Sequence, residues 1–155
     1  VILTENKIQL ILFDFFRKKH KQVIPNIFLY DWESDLIGVT KSDYVNEYEI
    51  KTSVSDFKSD FKKDKHSFFK NKTGKKIPNH FWYAVPEGLI DIKDIPSYAG
   101  LIHIRKKNKT RYTAQIIKKA PKLISTKINE IQQNHINTSL YYRFWELRKK
   151  LFKIS

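Results

Sequence analysis

A chain of 155 residues with 11 Phe, 8 Tyr and 3 Trp is long enough for one domain, 1–155, with a core of its own. It holds no Cys, which excludes a disulfide frame, a Cys-based zinc site and a thiol nucleophile, and fits a cytoplasmic setting (a host-cell cytoplasm for a phage gene). A net charge of +14 points to a polyanionic partner, nucleic acid before an acidic protein or a membrane surface, with a merely soluble basic protein as the bland alternative. No apolar run nears the roughly 20 residues that span a bilayer. The first residues show no signal-peptide pattern, and a start at Val1 without any Met predicts a trimmed or processed end.

Residues 4–19 read as a helix, with Thr4 as N-cap and Glu5 in the first turn. Ile8, Ile11, Leu12 and Phe15 share one face, and Leu10, Phe13 and Phe16 widen it, which predicts a well-buried helix. Gln9 and Asp14 interrupt it. A basic connector follows over 18–23, then Pro25 and Asn26 as punctuation. Strands are predicted at 27–30, 36–40 and 45–51, the last two joined by the turn Lys41-Ser42-Asp43. Ser53 and Asp56 form a capping-box pattern that opens a helix over 54–69, with Val54, Phe57, Phe61 and Phe68 inward. A basic loop fills 71–78. An apolar strand at 81–85, a short irregular helix at 92–98 and strands at 101–105 and 112–117 come next. Pro121 opens a helix carrying Leu123, Ile124, Ile128 and Ile131, and a last helix runs over 139–153. The order predicts an α/β domain with a mixed β-sheet flanked by helices, a core of about 4–120 and extra C-terminal helices over 121–155.

Phosphodiester hydrolysis needs a hard cation, an activated water and relief of charge on phosphate. Magnesium takes oxygen ligands, usually one or two carboxylates plus waters. Glu49 and Lys51 alternate along a strand, so both point to one face, roughly 7 Å apart, with the carbonyl of Ile50 between them as a further ligand. Asp35 joins that face only if the turn is a three-residue loop. Thr40 then pairs with Tyr44 and Asp35 with Glu49, whereas a two-residue loop pairs Asp35 with Ile50 and breaks the site. Lys51 suits orientation of water and electrostatic relief rather than proton abstraction, because neighbouring carboxylates oppose a lowered pKa. The bland alternative for the three is strand-end solvation with a cross-strand ion pair.

At these residues the chain resembles the PD-(D/E)xK nuclease superfamily, in particular its MmcB-like DNA-repair and phage-type members. The likeness rests on Glu49-Ile50-Lys51-Thr52-Ser53, on the Asp56-Phe57 and Asp60-Phe61 repeats, and on Phe81-Trp82-Tyr83-Ala84-Val85-Pro86. Glu87-Gly88-Leu89 and Tyr98-Ala99-Gly100-Leu101 continue it, over roughly 5–120. The superfamily's Pro before its first Asp is replaced here by Ser34. The resemblance implies a restriction-endonuclease-like core and a metal-dependent DNA nuclease, endonucleolytic or structure-specific, using Mg2+ or Mn2+. Asp35, Glu49 and Lys51 would be its catalytic set, with Asp35, Glu49 and Ile50 on the metal. It also implies Glu5 as a fourth site residue, since several members carry a metal-site acid on the first helix; a helix-dipole acid in solvent is the alternative.

Glu47 and Glu33 are candidates for the rim of the site, with surface charge the plainer role. Asp56 suits a cap better than a ligand. Lys63 and His66 are candidate phosphate contacts, against the ordinary role of a solvated helix face. The loop bearing Lys72, Lys75 and Lys76 and the turn bearing Lys106 and Lys107 are the predicted DNA-contacting arms. Trp82 and Tyr83 read as core. The last helix is expected to close the core, with a homodimer interface as the second choice. DNA is the expected partner, no membrane is expected, and a protein that supplies specificity stays open. The alternative to a nuclease is a non-cleaving nucleic-acid-binding or repair-accessory module on the same fold.

Overall fold

The computed structural model describes residues 2–72 and 76–153. Helix α1 (Glu5–Phe16) is capped by Thr4, whose hydroxyl accepts from the Lys7 amide. Strands β1 (His20–Ile27), β2 (Ser34–Thr40) and β3 (Val45–Ile50) follow as an antiparallel meander. Two short helices, α2 (Val54–Asp60) and α3 (Lys65–Asn71), lead to β4 (His80–Pro86), which lies parallel to β3. A 3-10 turn (Ile92–Asp94) precedes β5 (Ala99–Lys106), parallel to β4, and β6 (Tyr112–Lys118) returns antiparallel. Helix α4 (Glu130–Leu151) ends the order. Among the described residues the strands form one six-stranded mixed sheet, ordered β1-β2-β3-β4-β5-β6.

Alternation along the strands divides the core into two layers. Ile8, Leu12 and Phe16 of α1 pack on Leu36, Tyr48, Ile50, Trp82 and Ile102. On the other face Phe57 and Phe69 of α2 and α3 meet Phe81, Tyr83 and Leu101. Ile136 of α4 joins Ile24, Ile37, Val39 and Val45 on that same face. Parity therefore puts Glu47, Glu49 and Lys51 under α2 and α3.

Several expected elements are corrected. The connector and punctuation at 18–26 are largely strand: β1 starts at His20 and runs through Pro25, which pairs with Leu36. β1 is an edge of the sheet, where a missing N–H costs no ladder bond. The helix expected over 54–69 breaks at 61–64. Asp60 and His66 are six residues apart and would stand on different sides of a continuous helix; the break lets them meet at 2.7 Å. The helix expected from Pro121 does not form. Asn79 holds that stretch extended, donating its side-chain N–H groups to the carbonyls of Ile124 and Thr126 while its own carbonyl takes the Leu123 amide. A single longer helix, α4, starts instead behind a capping box of Asn129 and Gln132.

Two helices are also less buried than their patterns imply. Leu10 and Phe13 of α1 are 66% and 43% exposed. The two apolar stripes of the last helix do not close the core: only Ile136 of α4 is buried, and Tyr141, Phe144, Trp145, Leu147 and Leu151 all face solvent.

Candidate active site

The site forms where β2 begins and β3 ends. The hairpin between them has the three-residue loop: Thr40 and Tyr44 close it, and Asp43 takes a left-handed backbone at φ 70°. The ladder pairs Leu36 with Tyr48 and Ile37 with Glu47. One step further in the same register sets Asp35 opposite Glu49. The link is made through the backbone, the Ile50 amide donating to Asp35 Oδ2 at 2.8 Å.

Burial pushes the Asp35 carboxyl up to about 7, and the charges of Glu49 and Glu5 push the same way against the Ile50 N–H and Lys51. Glu5 reaches this corner from the first turn of α1. Asn26 donates weakly to Glu5 and to Glu33, at 3.4 and 3.5 Å, and Gln9 bridges Asn26 to the Asp35 carbonyl. Gln9, an interruption in the sequence pattern, is thus a buried strut.

Glu49 is buried and surrounded by ammonium groups. Oε1 accepts from Lys51 at 2.8 Å and from Lys63 at 3.3 Å, and Oε2 accepts from Lys65 at 2.6 Å. Lys51 also pairs with Asp60 at 3.1 Å. Burial pulls the Lys51 pKa down, but Glu49 and Asp60 outweigh it and hold the ammonium above its ordinary range.

Asp60, at the end of α2, gathers the second half of the network. Lys63 lies 3.0 Å from Oδ1, and Oδ2 accepts from His66 at 2.7 Å and from the Tyr83 hydroxyl at 2.8 Å. Burial opposes its charge, yet His66 and the three lysines keep its pKa well below the carboxylate range. His66 passes the network on to the Tyr98 hydroxyl at 2.8 Å.

Glu47 lies on the same face of β3 and is not surface charge. It is fully buried, accepts from Trp32 Nε1 at 2.8 Å, and burial pushes its pKa up to about 7 despite Lys65 at 3.9 Å. A cleft of about 470 Å3 lined by Trp32, Lys62, Lys63, Lys65 and Phe68 opens beside these groups.

The structure thus brings Asp35, Glu49, Ile50, Lys51 and Glu5 to one corner, with Lys63 beside them. His66 is buried against Asp60 and Tyr98 and does not face solvent as a phosphate contact. Asp56 sits in the first turn of α2, where its amide is capped by Ser53, and Trp82 and Tyr83 are core. The two basic arms lie at opposite ends of the sheet. Lys106 and Lys107 extend β5 past the end that carries Glu49; Lys72 and Lys76 precede β4 at the other. Lys75 lies outside the described residues. Asp60 and Lys65 are the participants that sequence reasoning missed. Asp60 shows in the sequence only as part of the Asp-Phe repeat, and Lys65 only as one lysine among many on a helix expected to be continuous.

No protein-family model and no curated protein matches this sequence. Among solved structures, the SPO1766 protein of unknown function from Silicibacter pomeroyi is similar in fold, with a TM-score of 0.70 over 97% of this chain and 95% of that one, at 17% identity. Among the described residues no helix is long and apolar enough to cross a membrane.

Proposed function

We propose that this chain is a metal-dependent DNA nuclease built on a PD-(D/E)xK core, with Asp35 and Glu49 as its Mg2+ or Mn2+ ligands and Lys51 as the residue that positions the attacking water. One observation carries the reading. Asp35 stands opposite Glu49 in the β2–β3 register, and its carboxyl is pushed up to about 7 by burial and by its acidic neighbours. Acids held together at such a cost fit a hard cation, which offsets their repulsion. Glu5 adds negative charge near Asp35 from the first turn of α1, and Ile50 lies between the acid and the lysine on β3.

A bound divalent ion supplies Lewis-acid polarisation and a more acidic water. The chain's own groups do the rest. The Ile50 amide fixes the direction of the Asp35 carboxylate. Lys51, kept protonated by Glu49 and Asp60, donates hydrogen bonds to water and to the phosphate oxygens as their charge grows. Its pKa is raised in the metal-free protein, which suits hydrogen-bond donation better than proton abstraction. Lys63, half-exposed on the turn after α2, is the lysine of the network whose ammonium can reach a phosphate from solvent.

A second reading is favoured by a different observation: Glu49 already has an ammonium on each oxygen. That balance suits a non-cleaving nucleic-acid-binding or repair-accessory module. A cleavage assay separates the two. Supercoiled plasmid, linear duplex and branched DNA are incubated with Mg2+, Mn2+ or EDTA, beside a Lys51→Ala variant. Metal-dependent cutting lost in the variant is the expected result. A wild type that binds DNA and cuts none of the substrates with either metal leaves the accessory module.

A further inference from the structure

Arg143 is the last residue of α4 tied to the body of the protein. Its guanidinium donates to the carbonyls of Pro25 and Asn26 at the end of β1. Asn26 in turn touches Glu5, Glu33 and Gln9, and Gln9 touches Asp35. The helix therefore passes the candidate site one residue away. Beyond Arg143 every described residue is exposed, and eight more residues of helix advance about 12 Å at 1.5 Å each.

The composition of this projecting end is unusual for a solvated helix. Tyr141, Tyr142, Phe144, Trp145 and Phe152 leave large faces in solvent. Arg143, Arg148, Lys149, Lys150 and Lys153 accompany them against a single acid, Glu146. Rings and cations meet along one flank of the apolar stripe formed by Leu140, Phe144, Leu147 and Leu151. Arg148 lies 5.8 Å from the ring centres of Phe144 and Trp145 and 5.2 Å from that of Phe152. A helix that pairs with a second copy keeps its seam apolar and its charges at the margin, and one that lies on a bilayer separates its two faces. A guanidinium in the middle of an aromatic patch does not suit a bilayer, which takes an uncharged face. Two copies would bring together chains of net charge +14 each. Unpaired nucleic acid alternates flat bases with phosphates, which matches rings and cations in turn.

We propose that the exposed end of α4 is a docking arm for single-stranded DNA, its rings stacking on unpaired bases and its Arg and Lys side chains meeting the phosphates. The proposal rests on the nuclease reading for its biological sense and deepens it: the substrate would carry an unpaired segment next to the cut. The arm projects past the sheet end that holds Asp35 and Glu49, where an unpaired strand can span both.

The test is binding of a fluorescein-labelled dT 20-mer and of a duplex of equal length, read by anisotropy in EDTA. The variants are Phe144→Ala/Trp145→Ala and Arg148→Glu. Both sites are exposed, so melting temperatures should match the wild type, and Arg148→Glu removes no buried packing. Stacking is worth about 1–3 kcal/mol per base, so the aromatic variant should bind the 20-mer at least about 10-fold more weakly. Arg148→Glu should weaken it as well, while the aromatic variant loses less than about two-fold on the duplex, whose bases are not free to stack. A wild type that ignores the 20-mer, or variants that bind it as tightly as the wild type, overturn the proposal. Sedimentation and flotation with phosphatidylserine vesicles then tell whether a second copy or lipid covers the patch. Binding is read without metal, so a protein that binds through α4 and cuts nothing sinks the nuclease reading alone. One that cuts plasmid and is indifferent to these substitutions sinks the arm alone.

Discussion

Lys51 and Asp60 form a buried ion pair, 3.1 Å long, between the end of β3 and the end of α2. Glu49 holds the same ammonium from the other side at 2.8 Å. Asp60 thus fixes where Lys51 stands without needing to touch a substrate. Asp60→Asn removes the charge and keeps the shape. Outer residues that orient catalytic groups typically contribute about 10–100-fold, and plasmid nicking should slow by that much through kcat, with KM unmoved. The melting temperature should fall too, since Lys63 and His66 lose the same partner. An Asp60→Asn variant that melts lower yet nicks at the wild-type rate gives Asp60 a role in stability only.

Divalent metal should stabilise the protein through Asp35 and Glu49. A ligand at about 100 times its dissociation constant adds about 2.7 kcal/mol to folding stability. At pH 7.5, Mn2+ or Mg2+ should raise the melting temperature of the wild type but not of Asp35→Asn or Glu49→Gln. The affinity should weaken below pH 7, because the Asp35 carboxyl takes a proton at about 7. Equal metal shifts in wild type and both variants would place the cation elsewhere.

Two buried carboxyls, Asp35 and Glu47, give the metal-free protein a particular pH dependence. Asp35 and Glu47 are both pushed up to about 7. An acid raised on folding holds its proton more tightly folded than unfolded. Stability from these two therefore falls as pH rises from their ordinary range to about 7, and is flat above that. Asp60 is shifted down instead; its stabilisation is present above the ordinary carboxylate range and lost as pH falls below it. In EDTA, Asp35→Asn should melt level with the wild type near pH 4 and several degrees higher at pH 7.5, at about 2–4 °C per kcal/mol. A difference between them that does not change with pH would contradict the raised carboxyl.

Local chemistry that decides structure within a few residues could be read from the chain. Asp43 tolerates a left-handed backbone, which allowed the three-residue loop; the fold takes it over the two-residue alternative, and with it the Asp35–Glu49 register. Thr4 and Ser53 announce their helices as caps. The misses are tertiary. Pro25 reads as a break until β1 is known to be an edge. The 119–129 stretch has apolar residues at helical spacing, but Asn79, some 45 residues earlier, takes its backbone groups. Lys65 resembles every other lysine in a basic helix; only the break after Asp60 turns it inward, where it is 3% exposed on Glu49. The apolar stripes of α4 are real, but the sheet ends before they do.

Gly100 marks where that extended stretch meets the sheet. It opens β5 opposite Trp82 of β4. A Cβ placed there would stand 2.4 Å from Trp82 Cε3 and 2.7 Å from the backbone nitrogen of Ala120. Trp82 has little room to give way: it is 8% exposed and its indole N–H donates to Asn46 at 2.9 Å. Ala120 is main chain, just past the end of β6, and cannot rotate aside. Backbone φ is not at issue here; space is. Gly100→Ala should therefore destabilise the fold by about 1–3 kcal/mol, the usual cost of overpacking a closed site. Chemical denaturation should show a lower midpoint with an unchanged slope. Trp82→Phe on the Gly100→Ala background should recover part of the loss, because the smaller ring withdraws Cε3 and Cζ3 of the indole from the new methyl group. No recovery would mean that the clash with Ala120 alone sets the cost.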